Sequence, residues 1–184
     1  MRSLIKKHGR SQIQPWLYDP FDRLISSIAS QQLSTKAAAT INSRIYQRLG
    51  VDCFTPKAIL SLKKEDLRQC GLSNAKADYC LGIAKAAADK SIHFKTLHSL
   101  PYEELAEQLT QLKGVGIWTV EMLAIFALGY RDIWSYGDLG LKKGIKILHQ
   151  LPELPDKDTF EQLGEKWRPY RSIASWYLWR VAES

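Results

Sequence analysis

The stretch Leu109–Gly144, LTQLKGVGIWTVEMLAIFALGYRDIWSYGDLGLKKG, decides the reading of this chain. Apolar residues before it have helical spacing and predict a helix over Tyr102–Leu112, with Glu103 and Glu104 in the first turn, where the dipole favours them. Gly114-Val115-Gly116 then forms a hairpin, and an apolar run predicts a second helix over Ile117–Leu128 that Gly129 ends. Arg131–Gly137 reads as a connector, and Leu139–Gln150 as a helix preceded by a lone carboxylate, Asp138. A turn with glycine at its first and third positions, opening a helix, presents consecutive backbone N–H groups to an anion. Lys113 adds charge beside it, Val115 lies within it, and Thr119 offers a hydroxyl to the same phosphate. The turn carbonyls at 112–116 could also hold a cation, although no metal is required. Two plainer readings stand beside these: a tight turn between helices, and Asp138 as an ordinary N-cap.

Outward from that stretch the pattern stays helical, with Val and Ile at helical spacing and not in alternating runs. Trp16–Asp19 reads as an extended lead-in and Pro20 as the first turn of a helix with the stripe Phe21, Leu24, Ile25, Ile28. Ser34 caps Thr35–Leu49, which Gly50 stops; Ser73 caps Ala75–Ala88. Short helices are expected at Lys57–Leu62 and Lys64–Cys70, and others from Asp158 or Thr159 to Lys166 and over Tyr170–Val181. The chain of 184 residues fits one domain, or one domain of two lobes.

No run of eighteen apolar residues is present, so no spanning helix and no membrane partner is expected. The basic N-terminus, MRSLIKKHGRSQIQPW, lacks the long apolar segment of a secretory signal. Cys53, Cys70 and Cys80 are too few for a four-cysteine zinc or iron–sulfur site and suit a reduced intracellular protein. A net charge of +7 favours a polyanionic partner, and Lys142 and Lys143 suit a face turned to phosphate. Trp118, Trp134, Trp167, Trp176, Trp179, Tyr170 and Tyr177 supply faces on which flat or cationic rings stack, although at least half are expected in the core.

Taken together and in order, these pieces resemble the helix-hairpin-helix DNA glycosylase superfamily, in particular its alkylbase branch of the 3-methyladenine DNA glycosylase II type. The matching stretches are DPFDRLISSIASQQLSTKAA (Asp19–Ala38), GLSNAKADY (Gly71–Tyr79), LKGVGIWTVEMLAIFALG (Leu112–Gly129), DLGLKKG (Asp138–Gly144) and WRPYRSIASWYLWR (Trp167–Arg180). The resemblance implies an all-α fold of two helical lobes with the active site in the cleft between them. One lobe would run over 34–129 and the other combine 1–33 with 130–184. It implies Asp138 as the catalytic carboxylate, Trp118 and Trp179 as aromatic walls of a base pocket, and Met122 where some relatives carry an aromatic. The wedge that fills the gap left by a flipped nucleotide maps to Gln31-Gln32-Leu33, with Gln32 the nearest match. Bifunctional members carry a lysine at the position of Trp118, so no lyase activity is expected. Met122, Ser135-Tyr136-Gly137 in place of a proline before the catalytic Asp, and the lack of an N-terminal β-rich lobe are departures from the family pattern. The expected activity is monofunctional excision of alkylated purines from double-stranded DNA in base excision repair, by a monomer without a cofactor. It would work wherever the DNA is, in a bacterial cytoplasm or a eukaryotic nucleus. A non-catalytic binder of DNA lesions on the same scaffold is the alternative.

Overall fold

In the computed structural model of the protein, residues 1–13 and 19–183 are described, and they are helical with no strand among them. Of the lead-in read over Trp16–Asp19 only Asp19 belongs to the described residues; it is extended and caps the helix that follows. The helices are α1 (Arg2–His8), α2 (Pro20–Ser30), α3 (Thr35–Leu49), α4 (Pro56–Leu60), α5 (Lys64–Gln69), α6 (Asn74–Ala88), α7 (Tyr102–Thr110), α8 (Ile117–Leu123), α9 (Leu139–His149), α10 (Lys157–Glu165) and α11 (Arg171–Glu183). A 3-10 turn spans Phe94–Ser99, and α8 widens into a π-turn over Ala124–Leu128. α1 and the 3-10 turn were not foreseen. α1 buries no residue, so it has no apolar stripe by which to be read.

Two compact units form: one contains the described residues 19–123, the other 1–13 with 124–183. The sequence boundary after residue 33 leaves α2 out of the first unit, whereas α2 packs there on α3, α6 and α8. The reason is its stripe. Phe21, Leu24, Ile25 and Ile28 are all buried, as their spacing predicts, and Ala29 joins them. Burying each large side chain is worth about 1.5–3 kcal/mol. Asp19 accepts from the N–H groups of Phe21 and Asp22 at 2.9 and 3.1 Å, and Pro20 needs no such partner. Asp22 then accepts from Tyr46 Oη at 2.8 Å and Phe54 N at 2.7 Å, which fixes α3 and the following loop to α2.

The second unit is built on the crossing of α9 and α11. A Cβ on Gly144 would lie 2.1 Å from the carbonyl oxygen of Leu178, so only glycine permits this approach. Trp134, Leu141, Ile145, Phe160 and Leu178 fill its core, with Trp134 stacked on Phe160 at 4.5 Å. Trp134 donates to Phe160 O at 3.1 Å, which satisfies its buried N–H. Asp132 receives Arg171 Nε at 2.8 Å and Arg168 at 2.9 Å and so ties the connector before α9 to the start of α11. Among the described residues no helix is long and apolar enough to cross a membrane.

Candidate active site and nucleic-acid interface

The hairpin lies between α7 and α8 in the first unit. Leu112 N donates to Leu109 O at 3.1 Å and Val115 N to Leu112 O at 3.0 Å, so the turn is closed by its own backbone. Its two glycines differ in kind. Gly114 has φ +88°, and a Cβ there would lie 2.2 Å from the ring of Tyr79 on α6. Gly116 has neither constraint: its φ lies outside the left-handed region and a Cβ would meet nothing within 4 Å. Backbone angles therefore require glycine at 114 only; at 116 a side chain would meet only what arrives from outside the protein.

Lys113 and Gly116 are exposed and Val115 is buried beneath them. Thr119 is only 4% exposed, buried like Val120 and Leu123 of the same helix, so its hydroxyl is less accessible than the exposed Lys113 and Gly116. Ile117 and Trp118 are turned outward at 51% and 44% exposure, an unusual position for large apolar side chains at the mouth of a helix. Met122, one turn on from Trp118, is half-buried. The carbonyls of Leu112, Gly114 and Gly116 already accept from Val115 N, Gln31 Nε2 and Val120 N; a cation there would have to use their second lone pairs.

The turn Gln31–Leu33 between α2 and α3 belongs to the same unit. Its three candidates separate. Gln31 is half-buried and its amide donates to Gly114 O at 3.0 Å. Gln32 is exposed in the left-handed region at φ 57°, and Leu33 is 41% exposed. Lys76 and Tyr79, one turn apart on α6, brace this region: Lys76 Nζ donates to Ala29 O at 3.1 Å and to Gln31 O, and Tyr79 lies against Gly114. No role was foreseen for either. Their three-residue spacing places them on one helix face, but nothing local says what that face meets.

Asp138 belongs to the second unit and caps α9. It is 8% exposed, and its Oδ1 accepts from Leu141 N at 2.6 Å and from Trp179 Nε1 at 2.9 Å. The N-cap and the functional carboxylate are therefore compatible: the cap bond orients the group, and the indole holds it from a helix 41 residues away. Gly140 makes room, since a Cβ there would lie 3.2 Å from both Asp138 Oδ1 and the Trp179 ring. Trp179 also stacks on Phe126 at 5.6 Å, so its N–H edge and one face are engaged inside this unit. Phe126 sits in the π-turn and escaped the sequence reading, which treated Ile117–Leu128 as one regular helix. Lys142 lies 3.6 Å over the ring of Tyr136, a cation–π contact that holds its ammonium at the start of α9. Trp134, Trp176 and Tyr177 are core, whereas Trp167 and Trp179 are half-buried and Tyr170 is 53% exposed.

A glycine hairpin with an exposed tryptophan, Trp118, beside it in one unit, and a buried carboxylate, Asp138, held by a backbone amide and an indole in the other, are features that suit nucleic-acid chemistry. The family model of the HhH-GPD superfamily of base excision DNA repair proteins matches residues 25–169, and the chain belongs to that superfamily. It is 40% identical to DNA-3-methyladenine glycosylase 1 of Schizosaccharomyces pombe over 90% of this chain and 73% of that protein. It is 38% identical to the alkylbase DNA glycosidase-like protein mag2 of the same yeast over 97% of this chain and 86% of the relative. Among solved structures it superposes on the S. pombe 3-methyladenine DNA glycosylase in complex with abasic DNA, with a TM-score of 0.87, 37% identity and coverage of 100% and 91%. A DNA-3-methyladenine glycosidase from Bacillus halodurans gives 0.86 at 33% identity, covering 100% and 88%.

Proposed function

We propose that this protein is a monofunctional DNA glycosylase that flips alkylated purines out of the duplex and releases them by hydrolysis. It acts as a monomer on double-stranded DNA, in the compartment that holds the DNA. The observation that carries the reading is Asp138: a carboxylate 8% exposed, held through Oδ1 by two donors. The two yeast relatives and the glycosylase bound to abasic DNA support it.

The chemistry follows from charge. A base in duplex DNA must leave the stack before its glycosidic bond is accessible. A purine methylated at N3 or N7 is cationic and departs as a neutral molecule, so little acid catalysis is needed. The remaining demand is stabilisation of positive charge growing on the sugar at C1′, and capture of that carbon by water. A fixed carboxylate meets both: it faces the oxocarbenium ion electrostatically and orients or deprotonates the water. Trp118 carries no amine, so no covalent Schiff base forms on α8. Lys113 precedes the hairpin glycines and does not replace it. Stacking of a cationic base on an indole face adds on the order of 1–2 kcal/mol of selectivity.

The test is a base-release assay on duplex DNA containing 7-methylguanine, with wild type and Asp138→Asn side by side. Asparagine keeps an oxygen for the Leu141 and Trp179 donors but loses the charge. Release should fall by roughly three orders of magnitude, about 4 kcal/mol of barrier, while abasic-DNA binding persists. Near-wild-type turnover by Asp138→Asn refutes the assignment. Wild-type protein that binds abasic DNA yet frees no base would make it a non-catalytic binder.

A further inference from the structure

The turn at the end of α2 and the hairpin are joined by one side-chain bond across 83 residues, Gln31 Nε2 to Gly114 O at 3.0 Å. The bond sits in a braced junction. Asn42 Nδ2 holds Ser30 Oγ at 3.2 Å from the α3 side. Lys76 donates to the carbonyls of Ala29, in the last turn of α2, and of Gln31, just past its end, from the α6 side. Tyr79, on the same face of α6, lies under Gly114 so closely that a Cβ there has no room. Both ends of the Gln31 bond are thus held by α6. Gln31 directs its amide inward, whereas Gln32, at φ 57°, and Leu33, at 41% exposure, project outward.

We propose that Gln31 is a positioning residue that ties the gap-filling turn to the phosphate-gripping hairpin, so that Gln32 and Leu33 stand at a set height above the gripped strand. The inference rests on the reading of that turn as the wedge and of the hairpin as the clamp. Backbone grip and insertion into the stack would otherwise be two separately ordered events, each with its own entropic cost. A rigid link orders the wedge before the lesion is met, and its benefit appears only where a gap exists to be filled.

The measurement is the ratio of Kd for an undamaged duplex to Kd for the same duplex with a tetrahydrofuran abasic site, using the full chain. Gln31→Met keeps the length of the side chain and removes the amide. The ratio should fall about fivefold, equivalent to about 1 kcal/mol. A ratio within about twofold of wild type overturns the inference whatever the melting temperature does, because a purely structural glutamine would lower stability without altering discrimination. Gln32→Ala and Leu33→Ala are measured alongside. If both leave the ratio at its wild-type value, the wedge reading itself falls and takes this inference with it. If either lowers the ratio while Gln31→Met does not, only the tie is refuted.

Discussion

At the scale of single residues, the engagement of Trp179 with Asp138 carries the most chemistry. A carboxylate that rotates must be reoriented at each turnover; one held through Oδ1 by Leu141 N and the indole N–H is oriented beforehand. Trp179→Phe separates the donor from the ring. The stack on Phe126 at 5.6 Å needs only an aromatic face, so phenylalanine keeps it. A hydrogen bond to a charged group is worth about 1.5–3 kcal/mol. We therefore predict that single-turnover release of 7-methylguanine slows by roughly tenfold or more in Trp179→Phe. A rate within about twofold of wild type would mean that the indole N–H is not needed to orient Asp138. The pairing was not legible in the sequence. Asp138 before Leu139 reads as an N-cap from local pattern, but its second donor stands 41 residues away on a helix that shows only an aromatic cluster. Thr119 shows the converse: its type and place near the hairpin suggest a phosphate ligand, whereas its helical phase leaves it only 4% exposed.

At the scale of elements, the hairpin tests whether its two glycines serve one purpose. Gly114→Ala forces a Cβ into the left-handed region and against Tyr79. It should lower unfolding free energy by about 2 kcal/mol or more in denaturant titrations, with DNA binding lost in proportion to folding. Gly116→Ala meets nothing inside the protein, and alanine restricts the unfolded chain more than glycine does. Its stability should be unchanged or slightly raised, while affinity for DNA of any sequence drops several-fold. Equal destabilisation by the two variants would contradict the distinction; so would an unchanged Kd for Gly116→Ala. Other elements were legible because their signals are local. The four-residue stripe of α2, the Ser34 and Ser73 caps and the left-handed Gly50 after α3 all occur where their residue types require them. The close crossing at Gly144 was not: a glycine inside a helix reads as a weak position until the backbone it admits, at Leu178, is known.

At the scale of the whole molecule, the distribution of perturbed groups sets how stability follows pH. His149 ends α9 beside Trp167, with its Nε2 buried and unpartnered among the described residues. Burial lowers its pKa from the ordinary 6.5, and the positive charges of Lys166 and the N-terminal ammonium act in the same direction. The folded protein therefore binds this proton less readily than the unfolded chain. Its contribution to stability is complete above 6.5 and is lost as the pH falls below that value towards the folded pKa. Asp132 behaves alike at lower pH. Burial opposes its ionisation, but the hydrogen bonds from Arg171 and the charges of Arg171 and Arg168 outweigh that and hold its carboxyl below the usual 3.8. Its share is present above 3.8 and disappears only as the pH falls below that value. Acid should thus weaken the protein in two separated stages, the first belonging to one imidazole. His149→Phe keeps a ring against Trp167 and removes the proton site. Urea titrations from about pH 8 to about pH 5.5 should show wild-type stability declining below about 6.5 and the His149→Phe curve nearly flat over the same span. Parallel curves through that window would show that the first stage arises elsewhere in the chain.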